Sequence, residues 1–137
     1  MHPYRSPIPA TVPLIIIALL LCATNADAQS TGVTASSLMR TTLSDDETKE
    51  VLVLSVEFAP GGTTGRHTHP GDEYATVLEG VLEIRADGQE PRRVKGGEAY
   101  HNPRGIIHET RNVGDMPARL VTTFVIDRGK PVSEPSP

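Results

Sequence analysis

The sequence predicts an all-β fold, either a sandwich or a small barrel, and three observations favour it. Short runs rich in β-branched and aliphatic residues recur between glycine and proline turns. No window longer than about ten residues shows the spacing of an amphipathic helix. No internal repeat of roughly 20 to 50 residues is present, which excludes a solenoid or a propeller. We therefore expect about seven to nine short strands in one domain.

Seven segments have the composition of strands, and turn residues separate them. In chain order they are 50–59, the two halves of 73–86, the two halves of RRVKGGEAYHNP, IIHETRNV and 118–127. The loop PGGTTG follows the first strand, Asp87-Gly88 is a strong hairpin signal, and Gly96-Gly97 is a turn. The first strand is apolar on both faces, so both faces are expected to be covered.

Residues 1–28 have the order of a secretory signal peptide. Arg5 is a weak positive start, 14–23 (LIIIALLLCA) is an unbroken apolar run, and A-D-A at 26–28 is a cleavage site. An apolar run of ten residues falls short of the roughly 20 that a membrane-spanning helix needs. A lipoprotein acylated at Cys22 is an alternative, but the residue before it is a bulky leucine where a small one is expected. We predict an exported protein, periplasmic or secreted, with no stable membrane span.

Removal of that segment leaves a weakly acidic chain without cysteine. Cys22 is the one cysteine, so the remaining chain has neither a disulfide nor a thiolate ligand for a metal. It keeps 12 Lys+Arg (13 less Arg5) and 16 Asp+Glu (17 less Asp27), and its formal charge stays at −4. A nucleic-acid surface requires a basic patch, so no nucleic-acid partner is expected.

The rest of the chain is predicted to have three parts. Residues 29–37 (QSTGVTASS) are small and polar and are expected to form a flexible lead-in. Residues 38–128 are expected to form the folded domain. Residues 129–137 carry three of the twelve prolines and are expected to form a disordered tail.

The segment HTHPGDE, residues 67–73, concentrates two of the five histidines beside a carboxylate. On a strand, His67 and His69 point to the same face, and the proline and glycine after them reverse the chain. Glu73 then opens the next strand, and His108 lies in another strand-like segment. Three imidazoles and one carboxylate suit a divalent transition metal. Spacing alone leaves a polar strand end open as the alternative.

Glycines and a proline around these residues complete two longer motifs, which are separated by the sixteen residues 81–96. The first, G-x5-H-x-H-x3-E-x6-G, is matched by Gly61, His67, His69, Glu73 and Gly80. The second, G-x5-P-x-G-x2-H-x3-N, is matched by Gly97, Pro103, Gly105, His108 and Asn112. These are the two signature motifs of the cupin superfamily, and the chain resembles its small, single-domain conserved-barrel (type 2) members.

This resemblance implies a double-stranded β-helix, a jelly-roll barrel of two antiparallel sheets. It also implies that His67, His69, Glu73 and His108 bind one divalent transition metal inside the barrel. That ligand set accepts Fe, Mn, Ni, Co, Cu or Zn, so the identity of the metal stays open. Asn112 is expected to be structural and to close its loop through a side-chain hydrogen bond.

Other polar residues lie close to the motifs. His101 and Asn102 precede Pro103, where many small cupins that this chain resembles carry apolar residues. His101 is either an acid–base group in the cavity or an exposed strand histidine, and Tyr100 lies on the opposite face. Arg66 and Arg104 flank the motifs and either bind a carboxylate at the barrel mouth or are merely solvated.

The resemblance leaves two classes of function. The first is a metal-dependent enzyme that acts on a small molecule, by dioxygenase-like or by isomerase or lyase chemistry. The second is a non-catalytic module that binds a sugar or another small ligand and carries a structural metal. Dimethylsulfoniopropionate lyases are disfavoured, because their tyrosine is replaced here by Ala75. Oxalate enzymes usually have longer or duplicated domains. Glu73 is either a ligand or a reacting base, and no catalytic residue is assigned.

The first strand also predicts assembly. Val51 and Val53 lie on one face, and Leu52 and Leu54 lie on the other. One face can pack on the core, and the other needs a cover, which cupins commonly provide by pairing sheets between subunits. We therefore predict a homodimer.

Overall fold

Ten β-strands make up the regular structure of residues 30–137, which are the residues that this computed structural model describes. In chain order they are β1 (Thr31–Leu43), β2 (Asp46–Thr63), β3 (His67–Thr68), β4 (Gly71–Glu79), β5 (Val81–Ala86), β6 (Arg92–Lys95), β7 (Ala99–Asn102), β8 (His108–Asn112), β9 (Ala118–Asp127) and β10 (Glu134–Pro135). The predicted signal peptide, 1–28, lies outside the described residues. Within the described range, no helix has the length and apolarity needed to cross a membrane.

The strands form two antiparallel layers that face each other. One layer has the order β1-β2-β9-β4-β7, and the other has the order β10-β3-β8-β5-β6. The long strand β2 joins the two, because its end at Thr63 pairs with Arg111 of β8. The result is a nearly closed jelly-roll barrel, so the predicted all-β double-stranded β-helix is confirmed.

From β2 to β5 and again from β6 to β10, consecutive strands alternate between the layers, and Gly80 makes one of these crossings possible. Gly80 has a φ of 87°, and a Cβ added there would lie 2.5 Å from the Cβ of Ala118. Any other residue would therefore combine backbone strain with a steric clash. The chain leaves β4 in one layer at this point and enters β5 in the other. The Asp87-Gly88 signal forms the predicted hairpin, because β5 pairs with β6.

Alternating side chains of the two layers fill the space between them. In β9, Leu120, Thr122, Phe124 and Ile126 point inward, and the residues that alternate with them face outward. One core cluster surrounds Phe58, Val77 and Leu120, and a smaller one contains Leu52, Phe124 and Ile126. Since both layers contribute these aliphatic residues, the core holds the barrel together at one end and leaves room for polar residues at the other.

The expectation of a flexible lead-in at 29–37 differs from the structure. Thr31 to Ser37 form the first half of β1, which pairs along β2 from Thr63 to Asp46. Val33 is half-buried and packs against the larger core cluster. Small polar residues made the segment resemble a linker, but threonine and serine also suit an edge strand whose outer face is solvated.

The expectation of a disordered tail at 129–137 also differs from the structure. Val132 packs against the smaller core cluster, and β10 pairs with β3. The Ser136 amide donates to the Arg66 carbonyl at 3.0 Å, and the Arg66 Nε donates to the Pro137 carbonyl at 2.8 Å. Main-chain hydrogen bonds of this kind depend on a neighbouring strand and leave little trace in composition.

Asn112 is 1% exposed and connects three parts of the chain. Its Nδ2 lies 3.1, 3.2 and 2.8 Å from the carbonyl oxygens of Phe58, Ala59 and Met116. Its Oδ1 accepts the amide of Gly114 at 2.9 Å. The structural role that the motif implied is therefore confirmed.

Replacing Asn112 with alanine is expected to lower the free energy of unfolding by about 2 kcal/mol or more, because several buried main-chain groups lose their partner. Urea denaturation followed by circular dichroism measures the change. Asp115→Ala, in the same loop but exposed, is the control and should have little effect. Equal stability of the two variants would contradict a structural role for Asn112.

Candidate metal centre

The two layers bring the four predicted ligand residues to the barrel interior. His67 on β3 pairs directly with His108 on β8, and His69 lies just beyond β3. The centroids of the three imidazole rings lie 4.4 to 4.9 Å apart. Glu73 comes from β4 in the opposite layer and is 7% exposed. The site therefore forms only when the two layers close on each other.

Each of the three imidazoles is oriented by a main-chain carbonyl. The Nδ1 atoms of His67 and His108 lie 2.9 Å from the carbonyl oxygens of Gly65 and Ile106, respectively. The Nδ1 of His69 lies 2.7 Å from the carbonyl oxygen of Val132. A carbonyl only accepts, so each Nδ1 carries a proton, and each ring in its neutral form presents a lone pair at Nε2.

These lone pairs converge without a donor to satisfy them. The ligand atoms of the three histidines all lie within 4.8 Å of one another. The Nε2 atoms of His69 and His108 are buried and have no hydrogen-bond partner. Buried acceptors that face each other are costly unless a cation lies between them. His67, His69 and His108 can therefore hold a metal ion.

Burial also favours the neutral form of His67, which is the form that binds a metal. Loss of solvent around the ring lowers the pKa of His67 to about 4, against 6.5 for an ordinary histidine, and outweighs the hydrogen bond to Gly65 that raises it. At neutral pH the Nε2 lone pair of His67 is thus available.

Glu73 lies beside the histidine cluster, and each of its two carboxylate oxygens accepts a hydrogen bond. Its Oε2 lies 3.5 Å from Nε2 of His69 and 3.3 Å from Nε2 of His108. Asn102 donates to Oε2 at 2.8 Å, and Thr122 donates to Oε1 at 2.9 Å. Burial alone would raise the pKa of the Glu73 carboxyl, but contacts with His108 and His69, whose Nε2 must carry a proton for this effect, and with Asn102 outweigh it and lower the pKa. Glu73 is therefore an ionised carboxylate of fixed orientation.

The roles of Asn102 and Thr122 as donors to Glu73 were not predicted from the sequence. Asn102 could have been noticed because it is a polar residue at a position where many small cupins that this chain resembles carry an apolar one. The signal for Thr122 was weaker: it shares the inward face of β9 with Leu120 and Phe124. In both cases a polar side chain at an inward strand position required a buried partner.

The other residues considered near the site lie outside the cavity, except Tyr100. His101 faces outward with a side chain 45% exposed, and its ring stacks on Tyr74 at 4.7 Å. Arg66 forms an ion pair with Asp87, and Arg104 forms one with Asp127. His101 is therefore an exposed strand histidine, and neither arginine lines the barrel interior.

A cavity of about 280 Å³ opens beside the histidines. Its walls are mostly apolar, and Val33 and Val132 form part of its rim. Tyr100 lines it from the opposite side, and burial raises the pKa of Tyr100 well above its usual range. A small molecule in this cavity would lie next to the Nε2 atoms and the protonated Tyr100 hydroxyl.

The C-terminal segment contributes an atom that orients a candidate ligand. Ending the chain after Pro131 removes the Val132 carbonyl that accepts from His69. Loss of such an outer partner is expected to weaken metal binding about 10- to 100-fold. Competition with a chromophoric chelator measures the affinity. Ending the chain after Pro135 keeps the carbonyl and is the control, and equal loss in both variants would contradict the role of Val132.

Comparisons with known proteins agree with this fold. The family model of the cupin domain matches residues 54–124. Germin-like protein subfamily 2 member 1 of Arabidopsis thaliana is 33% identical over 97 residues, which are 67% of this chain and 43% of that protein. A structure of oxalate oxidase in complex with the substrate analogue glycolate is 30% identical, with a TM-score of 0.55, over 68% of this chain and 50% of that chain. A Klebsiella pneumoniae protein with a double-stranded β-helix domain shares the fold, with a TM-score of 0.60 at 20% identity, over 77% of this chain and 84% of that chain.

The fold and the interior site together define a jelly-roll barrel with a histidine cluster that can hold a metal. The chain belongs to the cupin family, which confirms the resemblance carried by its two motifs. The chain spans less than half of the length of the curated relatives that it matches, 43% for the Arabidopsis protein.

Proposed function

We propose that this chain is an exported, metal-dependent enzyme that acts on a small molecule. One divalent transition-metal ion would be held by His67, His69, Glu73 and His108. The observation that carries the proposal is the convergence of three imidazole Nε2 atoms beside a cavity, with each ring oriented through Nδ1 by a carbonyl. A cavity next to the ligand atoms supports a reacting site over a purely structural one.

A bound metal would supply Lewis-acid chemistry or a binding place for dioxygen. The chain itself contributes orientation and charge. Glu73 is fixed by Asn102 and Thr122, and its carboxylate offsets one of the two positive charges of a divalent ion. Tyr100 keeps its proton and can donate a hydrogen bond to an oxygen of the substrate. Dioxygenase-like chemistry and isomerase or lyase chemistry are both compatible with these groups.

The similarity to oxalate oxidase supports an enzymatic role, because that protein is an enzyme with the same fold. The alternative is a non-catalytic module that binds a sugar or another small ligand, with a structural metal. Three carbonyl-anchored imidazoles would also suit a rigid structural site.

Elemental analysis of the exported protein, followed by oxygen-uptake screening, separates the two. We expect a mature chain that begins at Gln29, with about one iron, manganese, copper, nickel or cobalt ion per chain. Oxygen consumption with a small-molecule substrate would identify an oxygenase, and turnover without it would identify an isomerase or a lyase. Zinc without turnover would favour the binding module, and a metal-free protein that takes up none of these ions would contradict the proposal.

We further propose that the protein is a homodimer, joined through the outer face of the layer that contains β2. Val51 pairs with Val125, and Val53 pairs with Met39 and Thr123, so apolar side chains lie side by side on this face. Met39 is 47% exposed. A second copy of the same face would cover these residues in a two-fold arrangement.

Multi-angle light scattering at micromolar concentration is expected to give twice the mass of one chain. Val53→Lys should yield a folded monomer, because a charge in the centre of the interface would be desolvated. Glu90→Lys, at the exposed turn between β5 and β6, is the control and should remain dimeric. A monomeric wild-type protein would contradict the proposal.

A further inference from the structure

The walls of the cavity beside the histidines differ in character from its metal-binding end. Among the described residues that line it, Glu73 is the one carboxylate, and no lysine or arginine takes part. The remaining wall is formed largely by aliphatic and aromatic side chains: Leu54, Val56, Phe58, Leu120, Phe124 and Val132. A ligand that enters would exchange water for hydrocarbon over most of its surface.

We propose that the substrate class of this site is a small molecule with a largely apolar body, about the size of one substituted ring, and a single oxygen-bearing end that carries at most one negative charge. This inference rests on the proposed function, because the oxygen-bearing end would be placed at the metal. The inference that the body of the ligand is apolar depends only on the walls of the cavity.

Charge sets the first limit on the ligand. A divalent ion together with the Glu73 carboxylate has a net charge of one, so a single negative charge on the ligand completes neutrality. A second negative charge would be buried without a partner, which is costly in an apolar cavity. Arg66 and Arg104 cannot provide it, because they are paired with Asp87 and Asp127. Arg92 lies 5.8 Å from the Tyr100 ring but does not line the cavity.

Size sets the second limit. An apolar cavity of about 150 Å³ in another protein accommodates benzene, and this cavity measures about 280 Å³. One ring with its substituents therefore fits inside this cavity. Ala35 and Val132 form part of the rim on opposite sides, from β1 and from the C-terminal segment.

Polar groups near the histidines determine which end of the ligand faces them. Tyr100 shares a hydrogen bond with Thr110, and both line the cavity. Two further polar side chains line this part of the cavity and already have partners: Thr122 donates to Glu73, and Thr64 is hydrogen-bonded to the main chain of Thr110. The oxygen-bearing end of a ligand is therefore expected to point toward the histidines and Tyr100, and its apolar body toward Leu54 and Val56.

Glycolate and mandelate form a matched pair of probes, because mandelate is glycolate with one phenyl group added. Both are titrated into the cobalt-loaded protein, and the visible absorption of the cobalt ion reports binding. We expect mandelate to bind at least about tenfold more tightly, because its ring replaces water in the apolar cavity. Equal or weaker binding of mandelate would overturn the proposal.

Substitution at the rim tests where the ring lies. Ala35→Phe is expected to weaken mandelate binding at least about tenfold, with cobalt content and glycolate binding retained, because the larger side chain fills the space. Ala35→Ser keeps the size and is the matched control. If Ala35→Phe left mandelate binding unchanged, the ring would lie outside this cavity and the proposal would be wrong.

A titration of the metal-free protein distinguishes failure of this inference from failure of the proposed function. Benzyl alcohol is added to the metal-free protein, and the methyl resonances of Val56 and Leu120 are followed by NMR. Saturable shifts in these methyl groups would support the apolar cavity even if the protein bound no metal. Absence of shifts would overturn the inference, whereas loss of metal binding alone would overturn only the proposed function.

Discussion

Replacing His108 with alanine is expected to lower metal affinity by well over the roughly 10- to 100-fold that loss of an outer partner causes. The ring is 1% exposed and its Nε2 has no hydrogen-bond partner, so its removal would delete one of the proposed ligand atoms, which no neighbour replaces. His67→Ala is expected to have the same effect. Both variants should keep their β-sheet circular dichroism, because the core clusters consist of other residues.

His101→Ala is the matched control for these variants. His101 lies on β7 but faces solvent and contacts Tyr74 and Asp72. Its removal should leave metal content unchanged. Elemental analysis and chelator competition on the three variants give the comparison. Full metal content in both His67→Ala and His108→Ala would show that the metal, if any, is bound elsewhere.

Replacing Glu73 with glutamine is expected to weaken metal binding and to leave an activity that excess metal restores. The change removes the charge that offsets the metal. It also places an amide NH₂ group where one oxygen now accepts from Asn102 or Thr122. A donor facing a donor loses a buried hydrogen bond, so the carboxamide is also held less well.

The same variant distinguishes a ligand from a reacting base. A base would keep its metal, while turnover would fall by about 10²-fold or more. The contacts of Glu73 favour the ligand, because both oxygens are held in place and the pKa of the carboxyl is lowered. Asp72→Asn, one residue earlier and with a side chain 41% exposed, is the control. Full metal occupancy with lost activity in Glu73→Gln would instead identify Glu73 as the base.

The fold provides the position of the histidines, and the cavity walls decide which molecule can reach them. In this chain the walls come partly from segments at the two ends of the described range: Val33 on β1, and Val132 in the C-terminal segment. Changes at these ends can alter the ligand without changing the three imidazoles.

The sequence by itself determined the fold class, the family and the histidines of the site. Strand periodicity and glycine turns are local properties, so the all-β class and the strand 118–127 followed from them directly. His67, His69 and His108 can be recognised in the sequence because the spacing of the two motifs reflects a backbone geometry that proteins of this fold share. The loop-closing bond of Asn112 was predictable for the same reason, since Gly114 is two positions away, but its contacts with Phe58 and Ala59 span 54 and 53 positions.

Only the tertiary structure decided what surrounds and orients those residues. The partner of His69 is a main-chain carbonyl 63 positions away, in a segment whose composition indicated disorder. The donors to Glu73, Asn102 and Thr122, come from different strands, and each is an ordinary polar residue in its own segment. A carbonyl group is the same in every residue, and a long-range contact depends on how the two layers pack, so neither leaves a local pattern in the sequence.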